Sequence, residues 1–345
     1  MESDMYEVKS VEGKGLGCIA TKDIKKGDLI LSENPQIPDV HNRPNDIWGL
    51  MESFNQLNEA DRLEYMILHD KYDDLQALPS YSQLLINQEL LDKKSRISFM
   101  FGEDTEKVLK IYRIYESNCF DDGVSIKASR FNHSCDPNTS FVVLDNVPDQ
   151  IRAISNIKKG EEITINYLSD WNCSMRNREF RQASLLKSWH FICLCDLCEN
   201  GADDIDDTLE ELIAEAGEYH KQCHEAFKAS LLERYQYYPL ELCQREIRCY
   251  RQIYKLAKDK KLRPISLFRV IERAFATASL GYQMYKAEDL QHDCENFARA
   301  AEKFEKILGK VLVNKGITDF WKPFYENFEL HMSKQPYGFV YYRII

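Results

Sequence analysis

The chain has 345 residues, 44% of them apolar and 29% charged, and a formal net charge of −11. That length is too great for one ordinary core, so two or three domains are expected, and no apolar run is long enough to span a bilayer. The acidic start Met1-Glu2-Ser3-Asp4 lacks the apolar core of a secretory signal, so an intracellular setting, cytoplasm or nucleus, is expected. The negative balance disfavours direct nucleic-acid binding through phosphates and suits a basic peptide or protein partner.

Residues 6–34 read as short strands broken by glycine turns. Gly13-Lys14-Gly15-Leu16-Gly17 leads into Cys18-Ile19-Ala20, and Ile24-Lys25-Lys26-Gly27-Asp28 turns into Leu29-Ile30-Leu31. The phrase returns as Ile157-Lys158-Lys159-Gly160-Glu161 before Ile163-Thr164-Ile165. Two turn-then-strand units are therefore built alike, each with glycine where a tight turn wants positive φ. Between them, residues 45–115 carry helical spacing: Leu50, Phe54 and Leu57, then Leu63, Met66 and Ile67, with Asp104 placed to cap a further helix. This reads as a helical insertion in a strand-rich domain. Residues 199–207 are polar and acidic and read as a linker. From Thr208 to about Gly316 the pattern is helical throughout, with segments at about 265–285 and 290–313. Small residues at Ala274, Ala276, Ala278 and Gly281 would let paired helices approach closely, as in a tetratricopeptide-like hairpin or a plain bundle. The aromatic and apolar end, residues 337–345, is expected to dock on the body of the protein.

Eleven cysteines are an odd count. Cys18, Cys119, Cys173, Cys223, Cys243, Cys249 and Cys294 read as small, mostly buried hydrophobes in a reducing compartment. Cys193-Leu194-Cys195-Asp196-Leu197-Cys198 is different, with three thiols in six residues. That is one ligand short of a closed tetrahedral zinc site. On spacing alone Cys135, Cys173 and His190 compete for the fourth place. Cys135 lies within Asn132-His133-Ser134-Cys135-Asp136-Pro137-Asn138, a polar run that describes a loop. Tyr167 follows the alternating strand Glu162-Ile163-Thr164-Ile165-Asn166.

Taken together these segments resemble the signature of SET-domain lysine methyltransferases. The resemblance rests on Asn132-His133-Ser134-Cys135-x-Pro137-Asn138 followed by Gly160-Glu161-Glu162-Ile163-Thr164-Ile165-x-Tyr167. The glycine motif Gly13-Lys14-Gly15-Leu16 precedes them and the cluster Cys193-x-Cys195-x2-Cys198 follows. The stretch from Arg176 to Cys198 and the helical C-terminal region look most like the SET-and-MYND branch. That branch inserts a cysteine-rich MYND finger after the first strands, whereas residues 35–118 here contain no cysteine. The implied architecture is an α+β SET-domain β-fold with a pseudoknot, a helical insertion, a post-SET zinc cluster and an all-α, tetratricopeptide-like C-terminal domain. The boundaries expected are 1–44 and 116–170 for the SET domain, 45–115 for the insertion, 171–200 for the post-SET region and 208–345 for the helical domain.

The resemblance also implies roles. Cys135 would join Cys193, Cys195 and Cys198 on structural zinc. Lys14, Gly15, Leu16, Asn132 and His133 would hold S-adenosylmethionine, with Asn118 and Phe131 at weaker cofactor positions and Phe191 packing on the adenine. Tyr167 would be catalytic, orienting the amine or polarising the methyl. A free lysine has a pKa of about 10.4 and must lose its proton before it attacks. A nearby sulfonium and an apolar channel both favour that loss. Trp189 stands where the branch usually presents a second channel tyrosine, and an indole there should narrow the passage and favour fewer methyl transfers. Asn166 replaces the acidic residue of many SET domains. A monomeric methyltransferase acting on a histone or non-histone lysine is expected. The alternative is a catalytically weak SET-fold adaptor that binds partners through its helical domain.

Overall fold

The glycine-rich start forms an antiparallel hairpin, β1 (Tyr6–Val11) and β2 (Gly15–Ala20), registered from Tyr6 opposite Ala20 to Val11 opposite Gly15. In this computed structural model the described residues are 4–40, 46–73, 80–120, 122–142, 148–168, 175–200, 207–232, 239–259, 264–308 and 326. They fall into two units, Met1–Tyr167 with Gln182–Asn200, and Leu168–Arg181 with Gly201–Ile345.

In the first unit the chain continues through β3 (Leu29–Glu33), β4 (Ile37–Pro38), α1 (Asp46–Gln56), α2 (Glu59–Met66), α3 (Ser80–Phe101) and α4 (Thr105–Asn118). Then follow β5 (Gly123–Val124), a single 3-10 turn at Ala128–Arg130, β6 (Asn132–His133), β7 (Thr139–Val142), β8 (Asp149–Ala153) and β9 (Glu162–Ile165). Three small sheets result, in the orders β1-β2-β9-β6, β3-β8-β7 and β4-β5. The first two share a core of Cys18, Ile24, Ile30, Phe131, Ile151, Ile163 and Ile165, while Ile37 and Val124 of the third pack with the helical insertion.

The two echoed turns face each other. Ile24 and Ile157 form a two-way bridge, and each turn closes alike: the Lys25 N–H donates to the Asp28 carboxylate at 2.9 Å, and the Lys158 N–H to that of Glu161 at 3.0 Å. Gly27 and Gly160 have φ of 90° and 89°, the positive values the sequence pattern requires.

The insertion is helical, with α4 running to Asn118. Leu50, Phe54 and Leu57 are buried as their spacing predicts. Leu63 and Ile67 are not: they are 64% and 60% exposed. The eight-residue α2 instead turns Tyr65 inward, whose hydroxyl donates to the Ile111 carbonyl at 2.8 Å. One aromatic with a buried polar partner outweighs two aliphatics in choosing which face of a short helix is buried. Asp104 does precede α4, but its side chain makes no capping bond, because a 3-10 turn at Gly102–Asp104 leads into the helix.

After α5 (Arg178–Trp189) and the single turn α6 (Asp196–Glu199), the second unit contains α7 (Asp207–Leu232), α8 (Leu240–Asp259), α9 (Pro264–Tyr285) and α10 (Glu288–Leu308). Each of these four packs on the next in sequence. Gly281 is needed for that approach: a Cβ there would stand 2.6 Å from Leu290 Cδ1 and 2.7 Å from Cys243 Sγ. The fully buried Glu246 joins three helices, accepting from Tyr250 Oη at 2.8 Å and Thr277 Oγ1 at 3.2 Å, with His220 Nδ1 at 3.1 Å. Cys223, Cys243, Cys249 and Cys294 are buried as expected, as is Cys18, and Cys119 is half-buried. Cys173, most of the 199–207 linker and the 337–345 end lie outside the described residues. No helix among the described residues is long and apolar enough to cross a membrane.

Candidate active site

The alternation of β9 suggests one wet face, yet Ile163, Thr164 and Ile165 are all buried. The reason is its position between two partners. β2 pairs antiparallel on one side, with Cys18 opposite Ile163, and β6 pairs parallel on the other, with Asn132 opposite Thr164 and His133 opposite Ile165. The loop that begins at Asn132 then wraps β9. Ser134 N–H donates to the Ile165 carbonyl (2.9 Å), and Asn138 exchanges bonds with β9 through both ends of its amide. Its Nδ2 donates to the Glu162 carbonyl (2.8 Å) and its Oδ1 accepts from Thr164 N–H (2.9 Å). Thr139 Oγ1 donates to the Thr164 carbonyl at 2.7 Å. A polar loop at this position is thus fully used in holding a buried strand.

Tyr167 leaves the end of β9 and is fixed at two points. Its N–H donates to His133 Nδ1 at 3.0 Å, and its hydroxyl donates to the Phe131 carbonyl at 2.9 Å. Because that N–H can only donate, His133 Nδ1 accepts, and the neutral ring carries its proton on Nε2. Nε2 lies 3.2 Å from Cys135 Sγ, so the histidine hands an N–H to the sulfur while orienting the tyrosine. Burial pushes the Tyr167 hydroxyl well above its ordinary pKa, with Cys18 and Glu162 adding to the effect. It is a neutral donor at physiological pH.

Cys135, Cys193, Cys195 and Cys198 converge, all four sulfurs within 4.8 Å of one another. Cys135 Sγ is 3.8 Å from Cys193 Sγ and 3.6 Å from Cys198 Sγ. Zn–S bonds of about 2.3 Å place the corners of a tetrahedron about 3.8 Å apart, so the donor set and its spacing fit zinc. As bare thiols the sulfurs share protons, with hydrogen bonding from its neighbours pushing Cys135 far up and Cys195 far down. A divalent cation lets all four act as thiolates. The Cys195 N–H points to Cys193 Sγ at 3.4 Å, and Gln182 Nε2 donates to the Cys193 carbonyl at 2.9 Å. His190, a competitor on spacing, is engaged elsewhere: its Nδ1 lies 2.9 Å from the Lys71 carbonyl oxygen.

The glycine hairpin meets the loop at Glu162. Its carboxylate binds Lys14 Nζ at 2.7 Å with one oxygen and accepts from Asn132 Nδ2 at 2.9 Å with the other. Gly17 makes room for this: a Cβ there would stand 2.6 Å from Asn132 Nδ2 and 2.9 Å from Glu162 Oε1. Gly15, at φ 74°, begins β2, and Leu16 is 48% exposed beside it. Trp189 and Phe191 bring aromatic faces to the same region. Ring centroids are 5.6 Å apart for Tyr167–Trp189, 6.4 Å for Tyr167–Phe191 and 6.1 Å for His133–Phe191. Phe131 is fully buried with its ring edge-on to Tyr6 at 5.0 Å, so what it offers Tyr167 is its carbonyl. Asn118 is committed to main chain, its Nδ2 donating at 2.7 Å to both Ile114 and His69 carbonyls.

Glu162 and Gly17 enter the sequence reading only as members of longer motifs, with no site role of their own. The alternation starting at Glu162 was the available signal, because it puts Glu162 and Thr164 on one face of the strand. A cavity of about 430 Å³ opens in the helical insertion, lined by Trp48, Met51, Phe101 and Val108 with Glu52 and Asp104, and includes none of these site residues.

A β-fold in which one loop wraps a buried strand, pinned by four converging cysteines with a tyrosine at the strand's end, defines the class. Residues 15–168 match the model of the SET domain family, so this part of the chain is similar to SET domains. A SET domain-containing protein of Acanthamoeba polyphaga mimivirus is 29% identical over 201 residues, covering 54% of this chain and 75% of that one. Protein-lysine N-trimethyltransferase SMYD5 of Homo sapiens is 40% identical over 96 residues, covering 27% of this chain and 22% of that one. The chain therefore spans less than a quarter of the human relative's length. The solved structure of Rubisco LSMT bound to AdoMet aligns over 95% of this chain and 88% of its own, at 13% identity and a TM-score of 0.41, a likeness too distant to define the fold.

Proposed function

We propose that this chain is a protein-lysine N-methyltransferase that uses S-adenosylmethionine. The observation that carries the reading is the double anchoring of Tyr167, by His133 through its N–H and by the Phe131 carbonyl through its hydroxyl, with His133 in turn against Cys135. A tyrosine serving only the core needs no such tie to a four-cysteine knot.

The residues present fit the methyl donor. The salt-bridged Lys14 and Glu162 offer one charge of each sign to a zwitterionic amino-acid group, Asn132 adds an amide, and the missing Cβ of Gly17 lets Asn132 and Glu162 meet there. When bound, S-adenosylmethionine supplies an electrophilic methyl on a cationic sulfur. Lys14, Gly15, Leu16, Asn132 and His133 would hold it, with Phe191 on its adenine. The protein's own part is positioning. Tyr167, kept protonated by burial, aligns the lysine amine by a hydrogen bond, and Trp189 and Phe191 exclude water from the path. The amine must arrive neutral, which an apolar aromatic passage favours. Zinc would be structural, held by Cys135, Cys193, Cys195 and Cys198, and would fix the Asn132–Asn138 loop. The substrate would be a basic segment of a histone or non-histone protein. Trp189 against Tyr167 at 5.6 Å favours few methyl groups per lysine.

Transfer of labelled methyl from S-adenosylmethionine to proteins of a cell lysate tests this, with Tyr167→Phe alongside. Labelled bands that vanish in the variant are expected. Cofactor binding with no transfer to any protein would overturn the enzyme reading in favour of a SET-fold adaptor.

A further inference from the structure

His190 sits between the two aromatic residues of the site, Trp189 and Phe191, and adopts a conformation that side chains avoid. Its φ is 61°, in the left-handed region, and it is only 8% exposed. Such a conformation is strained for a side chain and persists where surrounding contacts hold it. Those contacts come from the helical insertion. Lys71 offers a carbonyl, so His190 Nδ1 donates to it, at 2.9 Å. Tyr72 packs edge-on to the imidazole, with centroids 5.3 Å apart and planes at 85°. Lys71 Nζ reaches the other way and donates to the Ser188 carbonyl at 2.9 Å, placing a cation on the last turn of α5.

The 70–73 loop is itself braced from α4. Arg113 binds Asp70 at 3.0 Å and Asp73 at 2.5 Å and lies over the Tyr72 ring at 5.6 Å. Lys71 N–H donates to Ser117 Oγ at 3.0 Å, and Asn118 Nδ2 holds the His69 carbonyl. The load path therefore runs from α4 through the 70–73 loop to the turn that carries Trp189 and Phe191.

We propose that His190 is a positioning residue, a strut by which the helical insertion fixes Trp189 and Phe191 against Tyr167 and so sets the width of the lysine passage and the number of methyl groups added. This rests on the methyltransferase reading for its product, but not for its mechanics. The left-handed turn swings the chain so that residues 189 and 191 both face Tyr167, and the imidazole between them reaches back to the insertion through both a ring contact and a hydrogen bond.

His190→Gly separates strut from turn, since glycine accepts positive φ freely and only the ring and its bonds are lost. Tyr72→Leu removes the opposing ring from the insertion side. In both variants amide exchange over residues 188–192 should quicken about tenfold, the scale of one lost hydrogen bond with its packing, while β9 stays unchanged. The double variant should add little, because each single change breaks the same strut. With a lysine peptide, the ratio of di- and trimethyl to monomethyl product should rise about threefold in both. Unchanged exchange in His190→Gly overturns the strut. Quickened exchange with an unchanged product ratio overturns its role in specificity and leaves a structural turn. A wild-type chain that methylates nothing overturns the enzyme reading alone, and the exchange arm still decides the strut.

Discussion

The two units solve opposite problems. The second is built from neighbours: α7 to α10 pack each on the next, and small residues such as Ala274, Ala278 and Gly281 let them close. The first is built from distance. Its site joins a hairpin near residue 15, a loop at 132–138, a strand at 162–165 and a knot at 193–198, none of which has the length to be stable alone. Periodicity builds a core whose members are interchangeable. A site made of short pieces depends on single side chains that cannot be exchanged.

The largest effect should come from removing the staple. Cys135→Ser is expected to lose bound zinc and S-adenosylmethionine affinity together, read by metal analysis and ligand titration, because His133 and the loop around β9 both rest on that sulfur. Retained zinc with unchanged affinity would refute the link. Tyr167→Phe comes next: methyl transfer should fall roughly 10²-fold with melting temperature little changed, since the variant removes one oriented hydroxyl and keeps the ring. Transfer at the wild-type rate would move the chemistry to another residue.

A matched pair sharpens the contrast between the units. Gly17→Ala and Gly281→Ala each put a Cβ 2.6 Å from a neighbouring side-chain atom. At Gly281 the neighbours are Leu290 and Cys243, so the expected result is overpacking, a loss of about 1–3 kcal/mol in denaturant unfolding with cofactor affinity kept. At Gly17 the neighbours are Val11 and the polar pair Asn132 and Glu162, so the expected result is about tenfold weaker cofactor binding with a smaller change in stability. Equal effects on both readouts in both variants would mean that the units do not differ in this way.

What the sequence discloses follows the same division. Helical segments of the second unit announce themselves by period, and the four motifs of the first announce their chemistry. Contacts between motifs are less legible. Cys135 lies 58 residues before Cys193, and no spacing rule distinguishes it from Cys173 or His190; the convergence of its sulfur with the other three is visible in the fold alone. Burial of β9 on both faces is hidden for the same reason, since alternation records one partner and the second arrives with β6. Leu63 and Ile67 mislead because α2 is too short for period to outweigh the single anchor of Tyr65. His190 carries no motif at all, and its meaning lies in a backbone angle.

The smallest predicted effect concerns a carboxylate in the first unit that no motif marks. Asp149 opens β8 directly opposite Glu33 on β3, is 2% exposed, and receives the Ser125 hydroxyl at 3.3 Å. Burial, then the charge of Asp122 and more weakly that of Glu33, push its carboxyl up to about 7. The unfolded chain titrates near the ordinary carboxylate value of about 3.9, so between that pH and about 7 the folded state holds a proton that the unfolded state has released. Stability from this group is complete below the unfolded value, drains away as pH rises through about 7, and is level above it. Asp149→Asn keeps the shape and the Ser125 contact while removing the charge. Its melting temperature should exceed that of wild type at pH 8 by a few degrees, the difference closing as pH falls toward 5. A wild-type excess at pH 8 would mean that the ionised carboxylate is held by groups stronger than Ser125, and the repulsion across the β3–β8 pair would then be illusory. The matching glutamate of the second unit, Glu246, lies among hydroxyl donors and a histidine with no second carboxylate in that set, so the contrast between a crowded acid and a satisfied one would be read in a single pair of melting curves, one for Asp149→Asn and one for Glu246→Gln. The second should lose stability at pH 8, where the first gains it.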